Sequence, residues 1–299
     1  MRVSILVPIF KVEDRIVKCA RSIFEQNYED CEFIFVDDCS PDTSVERLKR
    51  IIEDEYAHIK GKCKIVKHSR NRGVAEARNT AMECATGEFL IFVDSDDWCD
   101  QNLVSKLVRE QHRCNADIVS SDFYHTTVKS QKHISTHWVG GREGSLHVVL
   151  AQSFALPNRV WSMLIRTEMI HRNGIRFDGS VNYGEDSLLL VKLLYFAREI
   201  SHVGQPLYYY RADSEGSYSN NVTRSTIRNY VRSQIMIWEF ISQRDAMMRF
   251  AMSLFLSRMN LRRWLLIRKN NKNPLAYLYR IWCFIINKLW ILRCLAYGF

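Results

Sequence analysis

The nine cysteines, at positions 19, 31, 39, 63, 84, 99, 114, 283 and 294, include no C-x-x-C pair and no finger-like spacing with histidine. That excludes a zinc ribbon or finger, and the odd number of scattered thiols reads as reduced and cytosolic. Low-complexity tracts and internal repeats are also missing. The apolar start is followed at once by Glu13 and Asp14, with no A-x-A pattern, so a signal peptide is not expected. The longest apolar stretch, residues 281–299, carries Lys288 and Arg293 in its middle. Those charges argue against a membrane span and for an interfacial or packed helix.

Acidic residues are scarce in one region only. Residues 221–299 hold 14 Lys and Arg against 2 Asp and Glu, which leaves 28 against 31 in residues 1–220. The formal charge of +9 therefore belongs to the tail. A nucleic-acid groove needs a basic folded domain, so no nucleic-acid partner is expected. The tail also carries Trp238, Trp264, Trp282 and Trp290 among its cations. Two readings of it stand: an anionic membrane surface as partner, or a helical appendage packed on the domain.

What the chain does have is an alternation of apolar runs and amphipathic helices. Residues 3–10, 32–38, 64–69 and 88–97 read as strands, being short, apolar and rich in β-branched residues. Between the first two, Ile16, Cys19, Ala20, Ile23 and Phe24 recur at helical spacing. Ser40 followed by Pro41 reads as the cap and first position of the next helix, with Val45, Leu48, Ile51 and Ile52 as its buried stripe. Residues 73–85 make a third helix closed by Gly87. Strand and helix in strict alternation predict a mostly parallel sheet with helices on both faces. A helix to about residue 115 and a strand over 116–125 extend the layer. Residues 126–158 read as loops, 185–200 as a helix, 205–211 as a short strand, and the chain from about 225 as helical with one break at Pro274. The division expected is a domain over 1–220, with halves 1–115 and 116–220, and a helical tail over 221–299.

Two acidic clusters fall at strand ends, where ligands of parallel α/β sheets bind. Asp37 and Asp38 end the second strand, and "VDSDDW" places Asp94, Asp96 and Asp97 after the fourth. Such carboxylates repel one another unless they share a cation, and an oxygen-only set suits Mg²⁺ or Mn²⁺ completed by water and phosphate oxygens. Simple helix capping is the alternative. Arg70, Arg72, Gly73 and Arg78, at a loop-to-helix junction, suit an anionic phosphate. Glu185 and Asp186 open an apolar helix. They either complement its dipole or place a general base in a cleft, with Tyr183 and Trp161 lining an acceptor pocket.

Taken together, "VSILVPIFKVEDRIVKCARSIFEQNYEDCEFIFVDDCSPDTS", "NRGVAEARNTAMECATGEFLIFVDSDDW" and "GED" resemble the family-two inverting glycosyltransferases of the GT-A fold, over roughly residues 1–215. The resemblance implies an α/β GT-A domain. It implies transfer of a hexosyl or N-acetylhexosaminyl group from a nucleotide-diphosphate sugar, a UDP-sugar by the match of Asp38, to a hydroxyl of a saccharide or lipid-linked saccharide in cell-surface polysaccharide synthesis. Pro8, Phe10 and Glu13 fall where the family packs the base and ribose, and Asp38 where it binds uracil. Arg72, Gly73 and Arg78 match the ribose and diphosphate region. Asp94, Ser95 and Asp96 form the D-x-D, with Asp96 and Asp94 as ligands of Mn²⁺ or Mg²⁺. Asp186 matches the catalytic base, and "PLYYYRADSEGSYS" also looks like the family, with Arg211 placed to hold the diphosphate or the acceptor; Trp161, Tyr183 and Glu185 are expected on the acceptor side. Lys11 departs from the asparagine common in the family. A non-catalytic nucleotide-sugar-binding or membrane-docking module of the same fold is the alternative. The expected location is the cytoplasm, peripheral at the inner face of the cell membrane.

Overall fold

The computed structural model of the protein describes residues 1–136, 159–212 and 224–244. The expected loops over 137–158, Pro274, the apolar run 281–299 and three of the four tail tryptophans lie outside the described residues.

Strands β1 (Val3–Ile9), β2 (Cys31–Asp37), β3 (Cys63–Lys67) and β4 (Phe89–Phe92) form the parallel half expected, with helices α1 (Ile16–Phe24), α2 (Ser44–Asp54) and α3 (Val74–Cys84) as crossovers. A 3₁₀ turn, Ala57–Lys62, precedes β3. Every residue of β1 is buried, because its two neighbours and two helical layers enclose it. Alternate side chains serve different cores. Leu6, Ile34, Leu90 and Phe92 pack toward α3, while Ile5, Val7, Phe33 and Phe35 pack with α1 and α2. The buried stripe of α1 is Ile16, Cys19, Ala20 and Ile23, at the spacing read from the sequence.

Beyond β4 the sheet is mixed. Its order is β3-β2-β1-β4-β8-β6-β9-β5, with β7 paired to β6. Helix α4 (Leu103–Cys114) leads to β6 (Ile118–Thr126), and β7 (Gln131–Ile134) returns beside it. Strand β8 (Met163–Arg166) runs antiparallel to both β4 and β6. The sequence reading contained neither β7 nor β8. Strand β9 (Ile200–Arg211) is parallel to β6, with register shifts around Asp122, and antiparallel to the two-residue β5 (Trp98–Cys99). It starts five residues before the strand expected. The helix expected over 185–200 accordingly ends at Phe196, and Ile200 already pairs with Ile118.

Ser40 and Pro41 do not open α2, whose cap position is Thr43. The hydroxyl of Ser40 instead donates to Asp42 Oδ1 at 2.6 Å and accepts from Lys11 N at 2.8 Å. Ser40 is thus a loop brace, and four more residues are needed before helical geometry is reached.

After α5 (Thr167–Arg172) comes α6 (Glu185–Phe196), then α7 (Arg224–Ser242). Ile237 and Ile241 of α7 are buried in the same core as α6. Gly184, at φ +87°, turns the chain into α6. A Cβ there would lie 2.5 Å from the Ser233 hydroxyl of α7, so conformation and clearance both require glycine. Among the described residues no helix is long and apolar enough to cross a membrane.

Candidate active site

The carboxyl ends of β1, β2 and β4 lie side by side, with Ile9 opposite Asp37 and Leu6 opposite Phe92. The two acidic turns at this edge dispose of their charge differently. At β2, Asp38 is 2% exposed. Its Oδ1 accepts the Arg72 N–H at 2.8 Å and meets His68 Nδ1 at 2.7 Å, while Oδ2 accepts the Gly73 N–H at 2.7 Å. The backbone N–H groups of Arg72 and Gly73, expected to face a phosphate, are therefore turned onto Asp38, and the Arg72 guanidinium pairs with Glu76 at 2.6 Å. Gly73, at φ +89°, holds a conformation that residues with a Cβ rarely adopt, and a Cβ there would also sit 2.7 Å from Asn182 Oδ1.

At β4 the charge is shared with side chains from distant segments. Arg78, on the buried face of small-residue helix α3, is 3% exposed. Its Nη2 donates to Asp94 Oδ1 at 2.8 Å, and its Nη1 donates to Asp186 Oδ1 at 2.6 Å and reaches Glu185 Oε1 at 3.4 Å. Arg78, expected near ribose and diphosphate, forms a hub among three carboxylates. Burial works against its charge, and Asp186, Asp94 and Glu185 outweigh that effect and hold it protonated. The same burial pushes the carboxyls of Asp186 and Glu185 up; Arg78 pulls both back, and Asp94 adds repulsion. The neighbouring Asn79 holds the segment before α6 in place, exchanging two hydrogen bonds with the backbone of Phe177 at 3.0 and 3.1 Å.

Asp97 answers to neither cation. It is 1% exposed, its Oδ2 accepts the Tyr208 hydroxyl at 2.8 Å and its Oδ1 the Arg211 N–H at 2.7 Å. Burial, then Asp96 and Asp94, drive its pKa well above the ordinary carboxylate range. Tyr208 also accepts the Asp94 N–H at 3.0 Å, so β9 clamps the whole acidic turn. The turn is closed further by Asp97 N to Asp94 O at 3.0 Å, and Ser95 is buried within it. Asp94 and Asp96 keep 24% and 31% of their side chains exposed, and Arg15 lies 4.0 Å from Asp96.

The remaining expected residues divide. Pro8 is buried inside β1, and Phe10 stands past its end, 39% exposed, as the ring available to a base. Glu13, expected near base and ribose, braces α2: its Oε2 accepts the Thr43 hydroxyl at 2.6 Å and backbone N–H at 3.1 Å, which lowers its pKa. Lys11 adopts φ +55°, a conformation that asparagine tolerates better than lysine. Trp161 does not line an acceptor pocket. It is 6% exposed and stacks on Tyr208 at 4.3 Å and Tyr210 at 5.4 Å, supporting the clamp from below. Tyr183 is half-buried against Tyr230 of α7, with centroids 6.1 Å apart. Arg211 lies beside the turn, with its guanidinium carbon 5.5 Å from the Trp98 ring.

Sequence reasoning missed Tyr208 and His68 as parts of the site, and it gave Asp97 no role of its own within the acidic cluster. The tyrosine run of β9 was visible, but which of its rings faces the acidic turn depends on a register set by β6. Among the described residues no three His, Cys, Asp or Glu side chains are placed to hold a metal ion together. Of the two carboxylates expected to hold a divalent ion, Asp94 accepts from the Arg78 guanidinium at 2.8 Å and Asp96 lies 4.0 Å from Arg15.

A parallel half, a mixed second half and a carboxylate cluster at their junction define a GT-A transferase fold. The model of Glycosyl transferase family 2 matches residues 4–177, and the chain belongs to that family. It is 29% identical over 214 residues to the uncharacterized glycosyltransferase EpsJ of Bacillus subtilis, covering 70% of this chain and 60% of the relative. It is 27% identical over 227 residues to the poly(ribitol-phosphate) beta-N-acetylglucosaminyltransferase TarS of Staphylococcus aureus, covering 74% and 37%. The chain thus spans about 60% or less of the length of these curated relatives. A crystal structure of S. aureus TarS 1–349 in complex with UDP-GlcNAc superposes with a TM-score of 0.71 at 21% identity, covering 87% of this chain and 72% of that one. That likeness shows the fold.

Proposed function

We infer that the protein is an inverting glycosyltransferase that moves a sugar from a nucleoside diphosphate donor to a hydroxyl acceptor in bacterial cell-surface polysaccharide synthesis. One observation carries this reading. Asp186, at the start of α6, and Asp94, at the end of β4, are held by one guanidinium at 2.6 and 2.8 Å. A base for the acceptor and a carboxylate for the donor side are thereby fixed in one frame. UDP is the nucleotide favoured, since the fold neighbour TarS is solved with UDP and with UDP-GlcNAc, and an N-acetylhexosaminyl group is the sugar its name suggests.

Phe10 offers an aromatic face to the base. Asp38 has its remaining acceptor position on Oδ2, and its larger contribution is to hold the 68–73 loop that walls the same edge. On the metal, the residues fit: Asp94 and Asp96 flank Ser95, are partly exposed and offer oxygen only, which suits Mn²⁺ or Mg²⁺ completed by phosphate oxygens and water. Such an ion supplies electrostatic stabilisation of the departing diphosphate. Burial makes Asp186 a stronger base than an ordinary carboxylate, and Arg78 aims it while keeping it ionisable. Asp186 then takes the acceptor hydroxyl proton as that oxygen attacks the anomeric carbon from the face opposite the leaving group, so the configuration inverts in one displacement.

The tail is proposed to dock on an anionic membrane surface, which its charge supports. The described helix α7 exposes Arg228, Arg232 and Ile235 beyond the face that packs on the core. Co-sedimentation with vesicles containing phosphatidylglycerol, and its loss at high salt, is the expected result.

The deciding experiment is a panel of nucleotide sugars with Mn²⁺ or Mg²⁺, read by nucleoside diphosphate release and by thermal shift. Release with one donor class, abolished by EDTA, is expected. Donor binding without turnover for every donor and acceptor tried would assign a binding module instead.

A further inference from the structure

His68 is a buried titratable group to which the transfer chemistry gives no task. It follows β3, is 6% exposed, and joins two elements through its ring: Nδ1 meets Asp38 Oδ1 at 2.7 Å, and Nε2 meets the Thr80 hydroxyl of α3 at 2.9 Å. These contacts fix where the ring carries hydrogen. An ionised carboxylate only accepts, so Nδ1 is the donor to Asp38. The Thr80 hydroxyl can donate, and by donating to Nε2 it selects the Nδ1–H tautomer of the neutral ring. The consequence falls on Asp38. A carboxylate has about four acceptor positions. The Arg72 N–H at 2.8 Å, His68 Nδ1–H and the Gly73 N–H at 2.7 Å take three of them, and the one left lies on Oδ2. The backbone N–H of Asp38 donates to Ile9 O at 3.0 Å, which sets Asp38 beside Phe10, whose ring is 39% exposed past the end of β1. A ring to stack on, with one directed acceptor next to it, suits the edge of a flat heterocycle. Without His68 a second position opens on Oδ1, and the carboxylate, whose χ2 torsion is soft, loses the donor that sets its angle.

We propose that His68, set by Thr80, is the positioning residue that aims Asp38 at the base of the donor nucleotide, so that the site selects a base presenting a ring N–H, as uracil does, over one presenting a ring lone pair, as cytosine does. This rests on the reading of the site as one for a nucleoside diphosphate sugar with Phe10 against the base. The discrimination comes from rejection as much as attraction, because a ring lone pair directed at a carboxylate leaves both acceptors unpaired.

The test needs binding alone. UDP and CDP are titrated into the full chain with Mg²⁺ present, and each Kd is read by isothermal titration calorimetry. Wild type is expected to bind UDP more tightly than CDP. His68→Gln keeps an amide that reaches Thr80 but takes the donor away from Asp38; it should weaken UDP about ten-fold, the effect of one charge-assisted hydrogen bond no longer aimed, and leave CDP unchanged. His68→Asn, whose amide N–H stands in for Nδ1–H, should restore most of the UDP preference. Thr80→Val, at a half-buried position on α3, removes only the hydroxyl and should lower the preference by a smaller factor, which keeps the comparison open should His68→Gln fail to fold. A brace with no part in binding would shift the Tm of these variants and leave the ratio of UDP to CDP affinity where it was, and that result overturns the proposal alone. Equal affinity of wild type for the two nucleotides, or binding of neither, overturns it together with the reading of Asp38 as the base contact.

Discussion

The turn after β2 and the turn after β4 begin alike, each a run of aspartates at the carboxyl end of a buried parallel strand, and end differently. Asp38 is satisfied by backbone N–H groups of one adjacent loop and by His68. Asp94 is satisfied by Arg78 from α3, which also grips Asp186 from nearly a hundred residues further along. A carboxylate surrounded by N–H groups is a structural anchor. One that shares a cation with two others stays partly exposed and can change partner when a ligand brings its own charge. The difference teaches that an aspartate cluster marks a place, while the identity of its counter-charge decides what it does there.

Several substitutions would break or sharpen that contrast. The largest effect expected is on turnover: Asp186→Asn removes the base and should lower kcat by about 10²–10⁴ while leaving donor binding in a thermal-shift assay intact. Full-rate transfer by this variant would rule out Asp186 as the base. Arg78→Met should follow, destabilising the fold by about 3–5 kcal/mol because three carboxylates lose their one buried counter-charge, as read by urea denaturation. If the protein survives it, the acid limb of its rate profile tells more. Asp186 must be ionised to act, its pKa is raised by burial and lowered by Arg78, so turnover should rise with pH above the usual carboxylate range. Arg78→Met should move that limb to still higher pH; a limb that stayed put would show that Arg78 does not tune the base.

Asp38→Asn should cost about 2–3 kcal/mol, since an amide group would oppose backbone N–H donors, with faster hydrogen exchange confined to residues 68–73. Tyr208→Phe strips the hydroxyl from Asp97 and from the Asp94 N–H and should cost about 1–2 kcal/mol, together with weaker metal-dependent donor binding as the acidic turn loosens. The smallest effect is a gain. Lys11→Asn relieves a left-handed backbone position and should stabilise the protein by about 0.5–1 kcal/mol, visible as a small rise in Tm.

Much of the first half was legible because its signals are local. The stripe Ile16, Cys19, Ala20 and Ile23 is a helix face at any location, and β1 through β4 are short apolar runs in an alternation that permits few topologies. The second half was less legible. Strand β8, "MLIR", is too short to announce itself, and it exists because β4 and β6 leave a gap between them for an antiparallel strand. Within the site, Asp94 and Asp186 were identified by motif resemblance, and their distance from one another was not. Trp161 looked the same as an acceptor platform or a buried support. Only its stacking on Tyr208 and Tyr210 separates the two.

By itself, then, the amino-acid order determined the parallel half, the places where carboxylates cluster, and the segregation of positive charge into the tail, since each depends on neighbours in the chain. The tertiary structure alone decided that Arg78 would stand among Asp94, Glu185 and Asp186, and that Asp97 would face Tyr208. Those are pairings across long sequence separations, and burial, which makes an unmatched charge expensive, selects them only once the sheet and helices have closed around them.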